Sequence, residues 1–152
     1  MNEQVHDELK KIFNGRFSTS ESTRANYARG EDTYDPILSK AVVFPETNEE
    51  VSKILSLCNQ HKIPVVPFGT GTSLEGNVVG NDKGITISLE KMNKILSVNA
   101  EDFDCRVQAC VTKEQLNEYL REDGVFFPID PGANAAIGGM ASTSASGTMA
   151  VK

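Results

Sequence analysis

Two glycine-rich stretches limit what this chain can become: Pro67-Phe68-Gly69-Thr70-Gly71-Thr72-Ser73-Leu74-Glu75-Gly76-Asn77 and Asp130-Pro131-Gly132-Ala133-Asn134-Ala135-Ala136-Ile137-Gly138-Gly139-Met140. Glycine lets the backbone adopt φ > 0 and approach a ligand closely, so that consecutive N–H groups converge on one anion. Each stretch therefore reads as a loop offering bare N–H groups to a phosphate-bearing ligand. Long loops of small residues in a compact domain carry function more often than they merely join strands. Beyond the second stretch, the run from Ala141 to Lys152 adds no further apolar element to pack it, and the expectation is an interrupted chain.

The kind of phosphate is narrowed by residues the loops lack. Gly69 to Gly76 has no Gly-Lys-Ser/Thr ending and no lysine to neutralise a triphosphate, so it is not a P-loop. Nor is it the Rossmann fingerprint, because the third glycine falls at Gly76 and Leu74-Glu75 interrupts where a helix should begin. With no cation in either loop, binding would rest on backbone dipoles and the Thr70, Thr72 and Ser73 hydroxyls. That suits a buried pyrophosphate, and hence a dinucleotide held in place, better than an exchanging triphosphate.

The elements around the loops are legible from periodicity. Val5, Leu9, Ile12 and Phe13 mark one face of a first helix, with Asn14-Gly15 as its stop. From Arg16 to Lys40 the pattern fades, leaving either an irregular covering segment or a ligand-facing one. Ala41 to Pro45 reads as a short strand, and Thr47 with Glu50 as a capping box for a helix over 48–61. Ile63 to Pro67 is a second strand leading into the first loop, which completes a βαβ unit. Ile85 to Leu89, Ile95 to Val98 and Cys105 to Val111 alternate as strands, and Thr112 with Gln115 caps another helix stopped by Gly124. Val125 to Pro128 is a last apolar segment, giving a mixed α+β chain of about four helices and six short strands.

Composition removes several classes. Among 152 residues, 21 acidic against 15 basic side chains give a net charge of −6 with no basic cluster, so the electrostatic footprint of a nucleic-acid binder is missing. No run approaches the roughly 20 apolar residues of a membrane span, and the polar opening lacks a signal peptide's apolar core. The expectation is a cytoplasmic chain without a transmembrane segment. Cys58, Cys105 and Cys110 form no C-x-x-C pair and read as reduced, buried thiols. His6 and His61, the only histidines, read as solvated or capping groups, and no metal ligand set is evident.

Taken together, Pro67 to Gly76, Asp130-Pro131-Gly132, Ile137-Gly138-Gly139-Met140-Ala141 and Ala145-Ser146-Gly147-Thr148 closely resemble the FAD-binding domain of the D-lactate dehydrogenases and the glycolate oxidase D subunit. These are flavoproteins of the vanillyl-alcohol oxidase type. Val42 to Pro45 and Thr47 to Val51 match the family's opening strand and helix, so the resemblance spans Ala41 to Lys152. It implies the N-terminal part of that family's two-subdomain fold, with residues 1–40 as a helix and covering segment and 41–152 as an FAD-binding domain incomplete at its C-terminus, without a substrate domain.

The resemblance further implies that Pro67, Phe68, Gly69, Thr70, Gly71, Thr72, Ser73, Leu74, Gly76 and Asn77 wrap the FAD pyrophosphate. Pro131, Gly132, Ile137, Gly138 and Gly139 would line the cofactor's second side, and Ser142, Ser146 and Gly147 continue along the flavin. Asn77 stands where relatives commonly carry histidine, and Ser144 where asparagine is frequent. With no histidine in either loop, non-covalent FAD is expected. In the complete relative, hydride passes from a small D-2-hydroxy acid to the flavin, and a cytochrome or quinone reoxidises it. The histidine and acidic residues of that chemistry lie in the family beyond the equivalent of Lys152, so this chain is expected to carry no catalytic residue. It is expected to need the missing C-terminal part, and to be membrane-peripheral in the complete enzyme. The alternative is a truncated non-catalytic chain that self-associates or acts as a binding module.

Overall fold

The structure is a computed structural model that describes residues 3–147, and these fall into two compact units dividing between Lys91 and Met92. In the N-terminal unit the first helix, α1, spans Glu3–Ile12. Its Val5 and Leu9, with Phe13 just beyond, are wholly buried among Ala41, Val43, Ile54, Ile85 and Ile87. Burial contributes about 2 kcal/mol for each such side chain. Gly15 ends the run at φ +76°, a left-handed conformation that suits glycine.

A four-stranded sheet carries that core. β1 (Phe17–Ser18) is antiparallel to β2 (Val42–Val43), β2 is parallel to β4 (Ile85–Ser88), and β4 is parallel to β3 (Val65–Phe68). The order β1-β2-β4-β3 confirms β2, the helix after it and β3 as a βαβ unit, with β4 inserted between its strands. The helix between them, α3, spans Asn48–Gln60 and is capped by Thr47, whose side chain accepts the Glu50 N–H. The Glu50 carboxylate closes the expected capping box by accepting the Thr47 backbone N–H. It accepts the Glu46 N–H at 2.7 Å and two Arg16 N–H bonds at 2.6 Å each, which brings its pKa down to about 2.

The stretch from Arg16 to Lys40, aperiodic in sequence, contains β1 and a short helix α2 (Glu21–Asn26) capped by Ser20. β2 and β4 are buried on both faces, so Val42 and Val43 read as an apolar run, while in β4 the alternating Thr86 and Ser88 are buried as well. One face of β4, Ile85 and Ile87, enters the core beneath α1 and α3; the other carries Thr86, whose hydroxyl donates to Ser39 Oγ at 2.8 Å.

The C-terminal unit opens with an antiparallel hairpin, β5 (Ile95–Asn99) and β6 (Asp104–Val107), joined by a short 3-10 turn. Next comes α4 (Lys113–Leu120), capped by Thr112 on the Gln115 N–H as expected, and a 3-10 turn (Arg121–Asp123) ends at Gly124 with φ +70°. The last described helix, α5, spans Ile137–Ser142. Val111, Leu116 and Leu120 form this unit's own core, flanked by Ile95, Val98, Val107, Val125, Phe127 and Ile137.

The structure corrects two expectations. Cys105 is exposed, because it lies on the wet hairpin β6, whereas Cys58 and Cys110 are buried; burial raises the Cys58 thiol pKa. Val125 to Phe127 forms no strand. Its backbone is satisfied by a side chain instead: Asn117 accepts the Phe127 N–H at 2.7 Å and donates to the Phe127 carbonyl at 3.2 Å. An amide presents the same donor and acceptor that a neighbouring strand would.

Candidate functional site

The first glycine loop leaves the sheet at the carboxyl end of β3, where ligands collect in open parallel sheets. Pro67 and Phe68 are the last residues of that strand. Phe68 is buried, pairs with Ser88 across β4, and packs edge-on to the Tyr27 ring at 5.1 Å between centroids. Tyr27 also meets Phe44 edge-on at 5.5 Å, so an aromatic cluster underlies the start of the loop.

Beyond Phe68 the backbone must turn where only glycine is at ease. Gly71 has φ +74°, and a Cβ there would lie 2.8 Å from the Phe68 ring; Gly76 has φ +72°, and a Cβ there would lie 2.7 Å from the Tyr34 ring. From Thr70 to Ser73, around the first of these turns, the N–H groups find no acceptor among the described residues. The hydroxyls of Thr70 and Thr72 meet only each other, at 3.4 Å. Ser73 Oγ accepts from Glu75 N and from Asn77 Nδ2, so Asn77 braces the far side of the loop, while Leu74 is exposed. A buried hydroxyl without a partner, Ser88 Oγ, lies at the end of β4 beside Phe68. Unpartnered donors on a glycine-shaped loop fit an anion.

The second stretch belongs to the C-terminal unit and is built differently. Asp130 accepts the Gly132 N–H at 3.0 Å and the Lys113 ammonium at 2.8 Å. The lysine, with the Gly132 amide, holds the Asp130 carboxyl below its usual range. Pro131 and Gly132 are exposed in the resulting turn, where Gly132 has φ +90°. The Ile137 and Gly138 N–H groups donate to the Val111 and Ala109 carbonyls, both at 2.8 Å. Gly138 is required for packing: a Cβ there would lie 2.8 Å from both Cβ and O of Ala109. Gly139 is exposed, with Ala136 Cβ at 4.0 Å the nearest atom to an added Cβ. Ser142 Oγ donates to the Gly138 carbonyl at 2.8 Å, Ser146 is exposed, and Gly147 touches the backbone of Asp130. Thr148 to Lys152 lie outside the described residues.

Sequence reasoning overlooked the residues that hold the first loop from the N-terminal side. Glu31 N donates to the Gly71 carbonyl at 3.0 Å, and Gly80 N donates to the Ala28 carbonyl at 2.9 Å. The signal was present as turn chemistry, since Gly30, Asp32 and Asp35-Pro36 punctuate the stretch. Periodicity, which finds helices and strands, is blind to it.

The FAD binding domain family matches residues 39–152, three quarters of the chain and both glycine stretches. The chain belongs to this family. It is 44% identical over 135 residues to the probable mitochondrial D-lactate dehydrogenase of Danio rerio, covering 89% of this chain and 27% of that protein. The glycolate oxidase subunit GlcD of Bacillus subtilis is 29% identical over 138 residues, covering 90% of this chain and 29% of GlcD. The chain thus spans less than a third of the length of either relative. Among solved structures, an alkyldihydroxyacetonephosphate synthase superposes with a TM-score of 0.87 at 20% identity, covering 99% of this chain and 31% of that one. The fold is accordingly that of the vanillyl-alcohol oxidase type flavoproteins, and FAD is the cofactor its family binds. Among the described residues no helix is long and apolar enough to cross a membrane.

Proposed function

We propose that this chain is the FAD-binding portion of a flavin-dependent D-2-hydroxy-acid dehydrogenase of the D-lactate or glycolate type. The carrying observation is the row of N–H groups from Thr70 to Ser73, without an acceptor among the described residues, in the loop that turns at the left-handed Gly71 and Gly76 after β3. In this reading those groups and the three hydroxyls of the loop receive the FAD pyrophosphate non-covalently. Phe68 and Tyr27 hold the loop's origin rigid, and Asn77 fixes its exit through Ser73. Pro131, Gly132, Ile137, Gly138, Gly139, Ser142, Ser146 and Gly147 contribute from the C-terminal unit. When bound, FAD supplies the hydride acceptor for the substrate's α-carbon. The chain's own residues bind and orient it, and substrate recognition and proton abstraction are assigned to the additional sequence of the longer relatives.

The test is a titration of the purified chain with FAD, tracking quenching of flavin fluorescence and the shift of its visible absorption. Saturable binding is expected; a flat titration would overturn the reading of the first loop. The cytoplasmic location expected from the sequence belongs to this reading and is tested by fractionation, the Danio rerio relative being named as mitochondrial.

A second reading, self-association, is favoured by one observation. The C-terminal unit exposes Phe103, 84% accessible at the hairpin tip, together with Leu96 and Phe126. Apolar surface of this kind favours partners. Light scattering decides it, since a monodisperse monomer at high concentration would exclude this reading.

A further inference from the structure

Residues 28–38 precede the part of the chain that the FAD binding domain family matches, yet they are built against the first glycine loop. Gly30 lies so close that a Cβ on it would stand 2.4 Å from the Gly71 carbonyl oxygen, 2.8 Å from Val78 Cγ2 and 3.1 Å from the Ser73 carbonyl oxygen. The next residue, Glu31, donates its N–H to that same Gly71 carbonyl. Tyr34 lays its ring where a side chain on Gly76 would otherwise go. The segment is itself fixed by Asp32, a buried carboxylate that accepts the Gly30 and Tyr34 N–H groups, each at 3.0 Å. At its far end Gly80 packs on the Ile37 carbonyl and Asn81 N donates to Ser39 Oγ, so the segment is tied down on both sides of the loop.

We infer that this segment is a working part of the cofactor site, in which Gly30, Asp32 and Tyr34 are positioning residues that hold the first loop in its ligand-receiving conformation. The inference rests on the proposal that the first loop receives the FAD pyrophosphate. The physical reason is that the loop's N–H groups are unspent. A glycine-rich segment with so few internal hydrogen bonds has many conformations of similar energy. Only a fraction of them aim Thr70 to Ser73 at one point, and apparent affinity falls in proportion to that fraction. The Gly71 carbonyl and the Gly76 face are where the loop is pinned from outside, and residues 28–38 supply both pins.

Tyr34 offers the cleanest test, because it is 57% exposed and its ring contributes little to the core. Tyr34→Ala and Tyr34→Phe are compared with the unaltered chain in the FAD titration and, without FAD, by amide hydrogen exchange. Tyr34→Ala should bind FAD about tenfold more weakly, the loss expected when the competent conformation drops to about a tenth of the population. The Val79 and Glu31 amides, which are bonded to the Gly76 and Gly71 carbonyls, should exchange faster, those of β2 and β4 should not change, and Tyr34→Phe should restore both readouts. A role confined to folding would instead lower the melting temperature and speed exchange throughout the unit. Asp32→Ala gives the larger effect in the same direction, with Tyr34→Ala as the variant to read if Asp32→Ala fails to fold. Should the unaltered chain bind FAD and Tyr34→Ala bind it equally well, the inference is overturned while the proposed function stands. Should the unaltered chain not bind FAD, the proposed function fails, and unchanged exchange of the Val79 and Glu31 amides in Tyr34→Ala would overturn the positioning role as well.

Discussion

In the first loop the N–H groups of Thr70 to Ser73 are unspent, whereas in the second those of Gly132, Ile137, Gly138 and Met140 are each bonded within their own unit. Both loops are equally rich in glycine, so glycine density does not by itself report free donors. The difference lies in the element each loop leads into. The second enters α5 at once, and the first N–H groups of that helix are taken by the Val111 and Ala109 carbonyls. The first leads into no helix, and its Thr70 to Ser73 N–H groups meet no acceptor among the described residues. Their anchors differ as well: an ion pair, Lys113 with Asp130, fixes the second, while backbone contacts and aromatic rings fix the first.

Replacing Gly71 by Asp should produce the largest effect and sharpen this contrast. It puts a side chain against the Phe68 ring at a left-handed position and a negative charge among the N–H groups proposed to receive the pyrophosphate. Saturable FAD quenching should disappear, with about 1–3 kcal/mol of backbone strain visible as a lower melting temperature.

Gly138→Ala comes next. The added methyl collides with Ala109, which predicts about 1–3 kcal/mol lost from overpacking, readable by denaturant unfolding. If it weakened FAD binding as severely as Gly71→Asp without destabilising the chain, the distinction between a packing loop and a binding loop would break.

Acid titration should separate the loops by their anchors. Asp130 is held below its usual value by Lys113, so its contribution is fully present above about pH 4 and is lost as pH falls through the depressed value. Second-loop amides, corrected for intrinsic rates, should lose protection across that window, and Asp130→Asn should remove the step. First-loop amides should show none. The smallest expected effect is that of Gly139→Ala, whose methyl meets only an ordinary contact with Ala136 in a helix and should change stability by about 0.5–1 kcal/mol at most, in the stabilising direction.

How much could be read from the residues alone varied with the kind of interaction. Val5, Leu9 and Phe13 declared α1 because one helix face entered the core, and Thr47 and Thr112 declared two helix starts because capping is local. Cys105 was misplaced because alternation identifies a strand but not whether its inner face is covered. Val125 to Phe127 was misread because Asn117, eight to ten residues before it, replaces the neighbouring strand it would need. The position and glycine turns of the first loop were legible in its own composition, but the residues that pin it lay in a stretch whose logic is turns and close approaches.

The sequence by itself determined the family, the order of most elements and the location of both glycine loops, because these depend on motifs and on periodicities set within a few neighbouring residues. Only the tertiary structure decided that β4 lies between β2 and β3, that the Thr70 to Ser73 donors meet no acceptor among the described residues while those of Gly132, Ile137 and Gly138 are used, and that Gly30, Asp32 and Tyr34 stand behind Gly71 and Gly76. Those facts depend on pairings between residues some 40 positions apart, and whether a backbone N–H is free is settled only by what the rest of the chain places opposite it.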